Sequence, residues 1–153
     1  MRADIRIATQ AFDPEAELAA FRVALSGAGA VVSFTGLVRP ASDAGAVSTL
    51  GLQHYPGVTE QAIAETLADA GERWALEAAL VIHRVGDLTA HEPIVLVAAA
   101  SRHRRAAFEA ADFLMDYLKS RALFWKSETS AQGKLWVEPR AADYADAARW
   151  GVG

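Results

Sequence analysis

Ile5 and Ile7 alternate with polar neighbours, which predicts a short strand over 4–9. Asp13-Pro14 has the form of a helix start, with Asp as the cap and Pro in the first turn. Leu18, Phe21 and Leu25 then recur at helical spacing until Gly27 offers a stop. Residues 29–38 (GAVVSFTGLV) predict a strand with a bulge at Gly36, 40–46 (PASDAGA) a loop, and 47–55 another strand. Pro56-Gly57 breaks that strand, and Ile63, Leu67, Ala70 and Trp74 mark one face of a helix over 59–74. The apolar runs 80–85 and 94–99 predict two strands joined through Gly86 and Glu92-Pro93. Ser101 is placed to cap a long helix over 102–120, with Ala106, Ala110, Phe113, Leu114, Tyr117 and Leu118 inward. Residues 124–129 and 134–137 flank Ser130-Ala131-Gln132-Gly133 as a hairpin, and 141–148 predict a short alanine-rich helix. Trp74, Trp125 and Trp136 are expected to pack in the core or on the hairpin rather than to serve as stacking platforms. Strands and helices mix without strict βαβ alternation, and no repeat or linker divides the chain. The expectation is one α+β domain over 1–153, a mixed or antiparallel sheet with packed helices.

Composition narrows the function. A chain of 153 residues, 52% hydrophobic and 22% charged, can bury about two-thirds of its unfolded surface. No apolar run approaches the ~20 residues of a membrane span. The N-terminus alternates charged and apolar residues rather than forming a signal sequence, so a cytoplasmic protein with no membrane partner is expected. With no cysteine, disulfides, thiolate metal sites and a cysteine nucleophile are excluded. The formal charge is −4, but residues 102–140 hold eight basic and five acidic side chains. One basic region on a mildly acidic chain suits an anionic small molecule and not nucleic acid.

Two clusters carry candidate chemistry. Ser101-Arg102-His103-Arg104-Arg105 crowds cations at a predicted helix N-terminus, where each costs about 0.3–1 kcal/mol. A bound phosphate would reverse that cost. The residues alone leave open that the arginines face water. Lys119-Ser120-Arg121-Ala122-Leu123-Phe124-Trp125-Lys126-Ser127-Glu128 sets two lysines around an apolar core. Desolvation and neighbouring cations lower a lysine's pKa and favour its use as base or nucleophile. The bland alternative is a helix-end lysine and a strand-surface lysine. Arg39, at a strand end before Pro40, could reach the same ligand. His54 and His83 read as core or rim residues. No metal-ligand spacing, phosphate loop or nucleotide fingerprint is present, so no metal or cofactor is expected.

Taken in order, the segments 29–39, 52–60 (LQHYPGVTE), His83-Arg84-Val85-Gly86, Ser101-Arg102-His103-Arg104, 119–128 and Trp136-Val137 resemble the catalytic (large) subunit of molybdopterin synthase. The resemblance covers roughly 29–140. It implies an α+β fold of the hammerhead type and a sulfurtransferase of molybdenum cofactor biosynthesis. Such an enzyme converts cyclic pyranopterin monophosphate into molybdopterin. Its sulfur comes from the thiocarboxylated Gly-Gly tail of a small ubiquitin-like subunit. The resemblance also implies a homodimer of large subunits within a heterotetramer. Carried over by motif, Lys119 and Lys126 are catalytic, and Leu37, Val38, Arg39, His103, Arg104, Lys119, Lys126, Ser127 and Glu128 bind substrate. Gln53, His91, Leu123 and Ser127 depart from the common pattern, where glutamate, glycine, proline and lysine are usual.

A continuous helix would hold Arg104 and Lys119 about 22 Å apart, too far to share one small ligand. A site composed across a dimer is therefore expected, with Lys119, Lys126 and Arg39 from one chain and His103 and Arg104 from the other. The hairpin around 124–137, with Phe124 and Trp125, is expected to line the channel for the small subunit's tail. Two other functions fit the same residues: a non-catalytic dimeric binding module for a ubiquitin-like partner or phosphorylated ligand, and an enzyme acting on phosphoesters.

Overall fold

The computed structural model describes residues 1–42, 45–121 and 124–151. Its elements are β1 (Arg2–Ala8), α1 (Pro14–Val23), β2 (Ala30–Leu37), β3 (Ala41–Ser42), β4 (Gly45–Ala46), β5 (Thr49–His54), α2 (Val58–Arg73), β6 (Leu76–Arg84), β7 (Gly86–Leu88), β8 (Pro93–Ser101), α3 (Arg104–Ser120), β9 (Phe124–Ser130), β10 (Gly133–Val137) and α4 (Ala141–Ala148). The α+β expectation holds. One sheet has the order β1-β6-β8-β2, with β1 parallel to β6 and the other neighbours antiparallel. A second, antiparallel sheet has the order β10-β9-β5-β7.

Both faces of the first sheet are covered, which explains why β6 and β8 are almost continuously apolar. One face packs Ala79, Val81, Val97 and Ala99 against Ile63 and Leu67 of α2 and Phe113 and Leu114 of α3. The opposite face packs Leu80, Ile82, Leu96 and Ala98 against Phe21 of α1. A third cluster of Val38, Leu50, Leu52 and Leu88 lies at the second sheet, with Ile94 and Phe124 joining it to the first. Among the described residues no helix is long and apolar enough to cross a membrane.

Local signals fixed several boundaries. The Asp13 carboxylate accepts from the N–H groups of Glu15 and Ala16 at 3.0 and 3.2 Å, with Pro14 in the first turn. Gly57 starts α2 at φ +84, a backbone region that costs other residues a steric penalty. The β2–β8 register shifts between Gly36 and Leu37, the expected bulge.

Other boundaries moved. Helix α1 ends at Val23, not Gly27, because Arg2 donates to the carbonyls of Phe21 and Ala24 and Glu77 accepts the N–H groups of Ser26 and Gly27. Ser101 does not cap α3: it ends β8, buried, and its hydroxyl donates to Ala75 O at 2.8 Å. His103 takes the cap position with no side-chain bond, so α3 starts at Arg104 and buries Ala107 more fully than Ala106. Strand β6 begins four residues early, at Leu76, and β7 was not anticipated. Part of the predicted 40–46 loop forms the β3–β4 ladder. Trp74 does pack, donating to Glu109 at 2.8 Å, whereas Trp125 and Trp136 are 44% and 57% exposed.

Candidate active site

Register on β9 decides which way each side chain faces. Antiparallel partners share a face, and Phe124, Lys126 and Glu128 lie opposite His54, Leu52 and Leu50. Leu50 and Leu52 are buried in the third cluster, so Lys126 sits half-buried at the margin of an apolar layer. Trp125 and Ser127 face the other way. Trp125 meets Tyr55 edge-on at 4.4 Å. Ser127 is buried against Gly51, where a Cβ would stand 2.5 Å from its hydroxyl. Ser127 thus presents its side chain away from Lys126 and Glu128.

Lys119 occupies the last turn of α3 and is exposed. Burial pushes the Lys126 ammonium below the ordinary lysine pKa, and the charge of Lys119 pushes it further. Arg39 acts in the same direction, while Glu128 and Asp143 of α4 oppose it. The two lysines, Arg39 and Glu128 therefore form one electrostatic group.

Arg39 is exposed on a rigid base. Its neighbour Val38 is buried, and both backbone groups of Val38 are taken: its N–H donates to Glu92 O at 2.9 Å and its C=O accepts from His91 N at 2.8 Å. Val38 anchors Arg39 through these bonds and its buried side chain, whereas Leu37 is half exposed.

His83 and Phe124 adjoin this group; Phe124 was expected at the tail channel, whereas His83 was read from sequence as a core or rim residue. The rings stack with centroids 3.7 Å apart at 11°. His83 Nδ1 lies 2.8 Å from Arg84 O, and a carbonyl can only accept, so Nδ1 carries the hydrogen and Nε2 keeps its lone pair. Burial, then the charges of Lys119 and His54, lower the His83 pKa to about 4 against the opposing bond to Arg84 O. The ring is neutral at neutral pH. His54, half-buried, holds Nε2 3.5 Å from Glu60. The signal available in the sequence was alternation: His54 and Phe124 share parity with Leu52 and Lys126 on their strands.

His103 and Arg104 are not part of this group. Helix α3 separates Arg104 from Lys119 by about 22 Å. A second ruler agrees: β2 starts at Ala30 beside Ser101 and ends at Leu37 beside Pro93, about 23 Å of strand between the basic helix start and Arg39. Two surface hollows, one lined by 45–48 and 130–132 and one between β1 and α1, include none of these cations. Of the departures from the family pattern, Gln53 is exposed opposite Trp125, and His91 adopts φ +71 where a glycine would be unstrained. Leu123 lies outside the described residues.

The chain is similar to known proteins over most of its length. A Pseudomonas aeruginosa protein named molybdopterin synthase catalytic subunit is 51% identical over 146 residues, 95% of this chain and 97% of the relative. The solved molybdopterin biosynthesis MoaE protein from Burkholderia ambifaria superposes with a TM-score of 0.84 at 45% identity, covering 99% of both chains. Molybdopterin synthase from Staphylococcus aureus gives a TM-score of 0.78 at 26% identity, over 86% of this chain and 95% of that one. The model of the MoaE protein family matches residues 7–121, and with these relatives it establishes that the chain belongs to that family.

Proposed function

We propose that this chain is the catalytic subunit of a molybdopterin synthase. It transfers sulfur from the thiocarboxylated Gly-Gly tail of a small ubiquitin-like subunit to cyclic pyranopterin monophosphate. The observation that carries this reading is the joint action of Lys119 and Arg39 on half-buried Lys126. Three cations within electrostatic reach at an apolar margin suit a phosphorylated substrate.

Arg39 holds the substrate phosphate as a guanidinium fork. Lys119, the exposed amine at the helix end, acts as base or nucleophile at the thiocarboxylate. A pterin side-chain carbon exchanges its bond to oxygen for one to the thiocarboxylate sulfur, the oxygen leaving protonated; the tail's acyl carbon–sulfur bond then breaks as water adds its oxygen to the acyl carbon, which leaves the sulfur on the substrate and returns the tail as a carboxylate. Lys126, held by strand register, orients the substrate and neutralises its charge. Glu128 favours the charged form of Lys126. Leu37 and the exposed aromatic pair Tyr55–Trp125 offer apolar surface to the incoming tail.

His103 and Arg104 complete the phosphate site from a second copy of the chain, since two independent distances of about 22–23 Å keep them from their own Lys119 and Arg39. This makes the working enzyme a homodimer of large subunits with a small subunit for each.

Product formation from the pyranopterin monophosphate and a thiocarboxylated small subunit tests the reading. Lys119→Ala should lower the rate by at least about a hundredfold while substrate binding persists. A variant that loses binding and keeps the chemical step would favour the non-catalytic module instead.

A further inference from the structure

The turn that grips Val38 is held by an ion pair outside the cationic group, between buried Arg84 and partly exposed Glu92. Arg84 ends β6 and is buried; its Nη1 donates to Glu92 Oε1 at 3.4 Å. The second oxygen of Glu92 accepts from Thr89 N at 2.7 Å and from Thr89 Oγ1 at 3.2 Å. Glu92 N returns to Thr89 O at 3.2 Å, closing a turn over 89–92 around His91 at φ +71. Such a backbone persists only when its surroundings over-determine it. Here the over-determination is one carboxylate bridging a guanidinium and both donors of Thr89. The product of the turn is two backbone bonds, from Val38 N to Glu92 O and from His91 N to Val38 O, immediately before Arg39. On the other side Pro40 restricts Arg39 to extended backbone, and Pro40 O accepts from Val47 N at 3.0 Å.

We propose that Arg84 and Glu92 are positioning residues for Arg39: their pair locks the 89–92 turn, the turn clamps Val38, and the clamp aims the Arg39 guanidinium at the anionic group of the substrate. The inference rests on the reading above, in which Arg39 binds that group. Arg84 and Glu92 act through Arg39 and touch neither substrate nor the reacting atoms.

The test is a double-mutant cycle in the assembled two-subunit enzyme, reading KM for the pyranopterin monophosphate separately from kcat. Arg39→Ala should raise KM at least about tenfold. Glu92→Gln keeps the volume but removes the charge facing Arg84, and should raise KM about three- to tenfold with kcat within about twofold. In the Arg39→Ala background Glu92→Gln should change KM by less than about twofold, because the residue it positions is gone. Thr89→Val, which deletes a single donor and leaves the ion pair, should shift KM the same way by a smaller factor, and it serves if Glu92→Gln melts below assay temperature. Equal losses from Glu92→Gln with and without Arg39, or an unchanged KM in the Arg39-containing enzyme, would overturn the positioning role. An unchanged KM in Arg39→Ala alone would instead overturn the reading of Arg39 as the phosphate ligand, and the present inference with it.

Discussion

His83 shows how burial sets a single side chain's chemistry. Its ring is sealed between Phe124 and the end of β6, and its Nδ1 hydrogen is committed to Arg84 O. The unfolded chain binds a proton at this residue near pH 6.5, the folded chain only near pH 4. The unfolded state therefore holds more protons between those values, and stability falls as pH drops through the window and is unaffected above it. The loss amounts to about 3 kcal/mol once both states are protonated. Urea unfolding from pH 7 to pH 4 should display this slope, and His83→Phe, which keeps a ring against Phe124, should remove that part of it. An identical slope in the variant would mean that His83 is reached by solvent and titrates normally. Lys126 is perturbed by the same physics: burial and the charge of Lys119 both lower its pKa, a cost that an anionic substrate beside it would offset.

At the scale of elements, the short turn between β7 and β8 carries strain that its sequence made visible. A left-handed φ costs a non-glycine residue about 1–2 kcal/mol, and His91 stands where the family pattern has glycine. Histidine tolerates this region better than branched residues do. Replacing His91 by Gly should stabilise the chain by about 0.5–1 kcal/mol net of the added freedom of the unfolded state. A thermal melt should rise by about 1–4 °C, and a fall would mean that the imidazole makes contacts worth more than the strain. The helix α3 shows the converse case. Its amphipathic pattern was plain, yet its start slipped from Ser101 to Arg104 because β8 claimed Ser101 for a bond to Ala75 O. Its first turn holds no acid, so the basic cluster keeps the repulsion that an anionic ligand would relieve.

For the whole molecule, the two ends of α3 lie at opposite ends of the first sheet, and this sets the terms for assembly. If the site is shared between copies, chains inactivated at opposite ends complement each other. Lys119→Ala and Arg104→Ala proteins, each folded and inactive, should recover activity when mixed and allowed to exchange. In a mixed dimer with two-fold symmetry, one site holds both lesions and the other holds neither. Random exchange should thus restore about one quarter of wild-type activity. No recovery despite verified mixed dimers would show that each chain builds its site alone.

Local chemistry was enough to determine the class of fold, the capped start of α1, the Gly36 bulge, the β9–β10 hairpin and the three cationic segments, because caps, breakers and periodicity act over a few residues. The sequence also placed Lys119 and Arg104 on one rod, from which their separation follows by arithmetic alone. Only the tertiary structure decided that α1 stops where Arg2 and Glu77 meet it, that Ser127 turns its back on Lys126, and that Trp125 and Trp136 lie exposed. The same holds for His83 beside Lys119 and for the Arg84–Glu92 pair beneath Arg39, whose partners lie on different elements. Register and long-range hydrogen bonds set these facts, and neither is encoded within any window of the chain short enough to be read on its own.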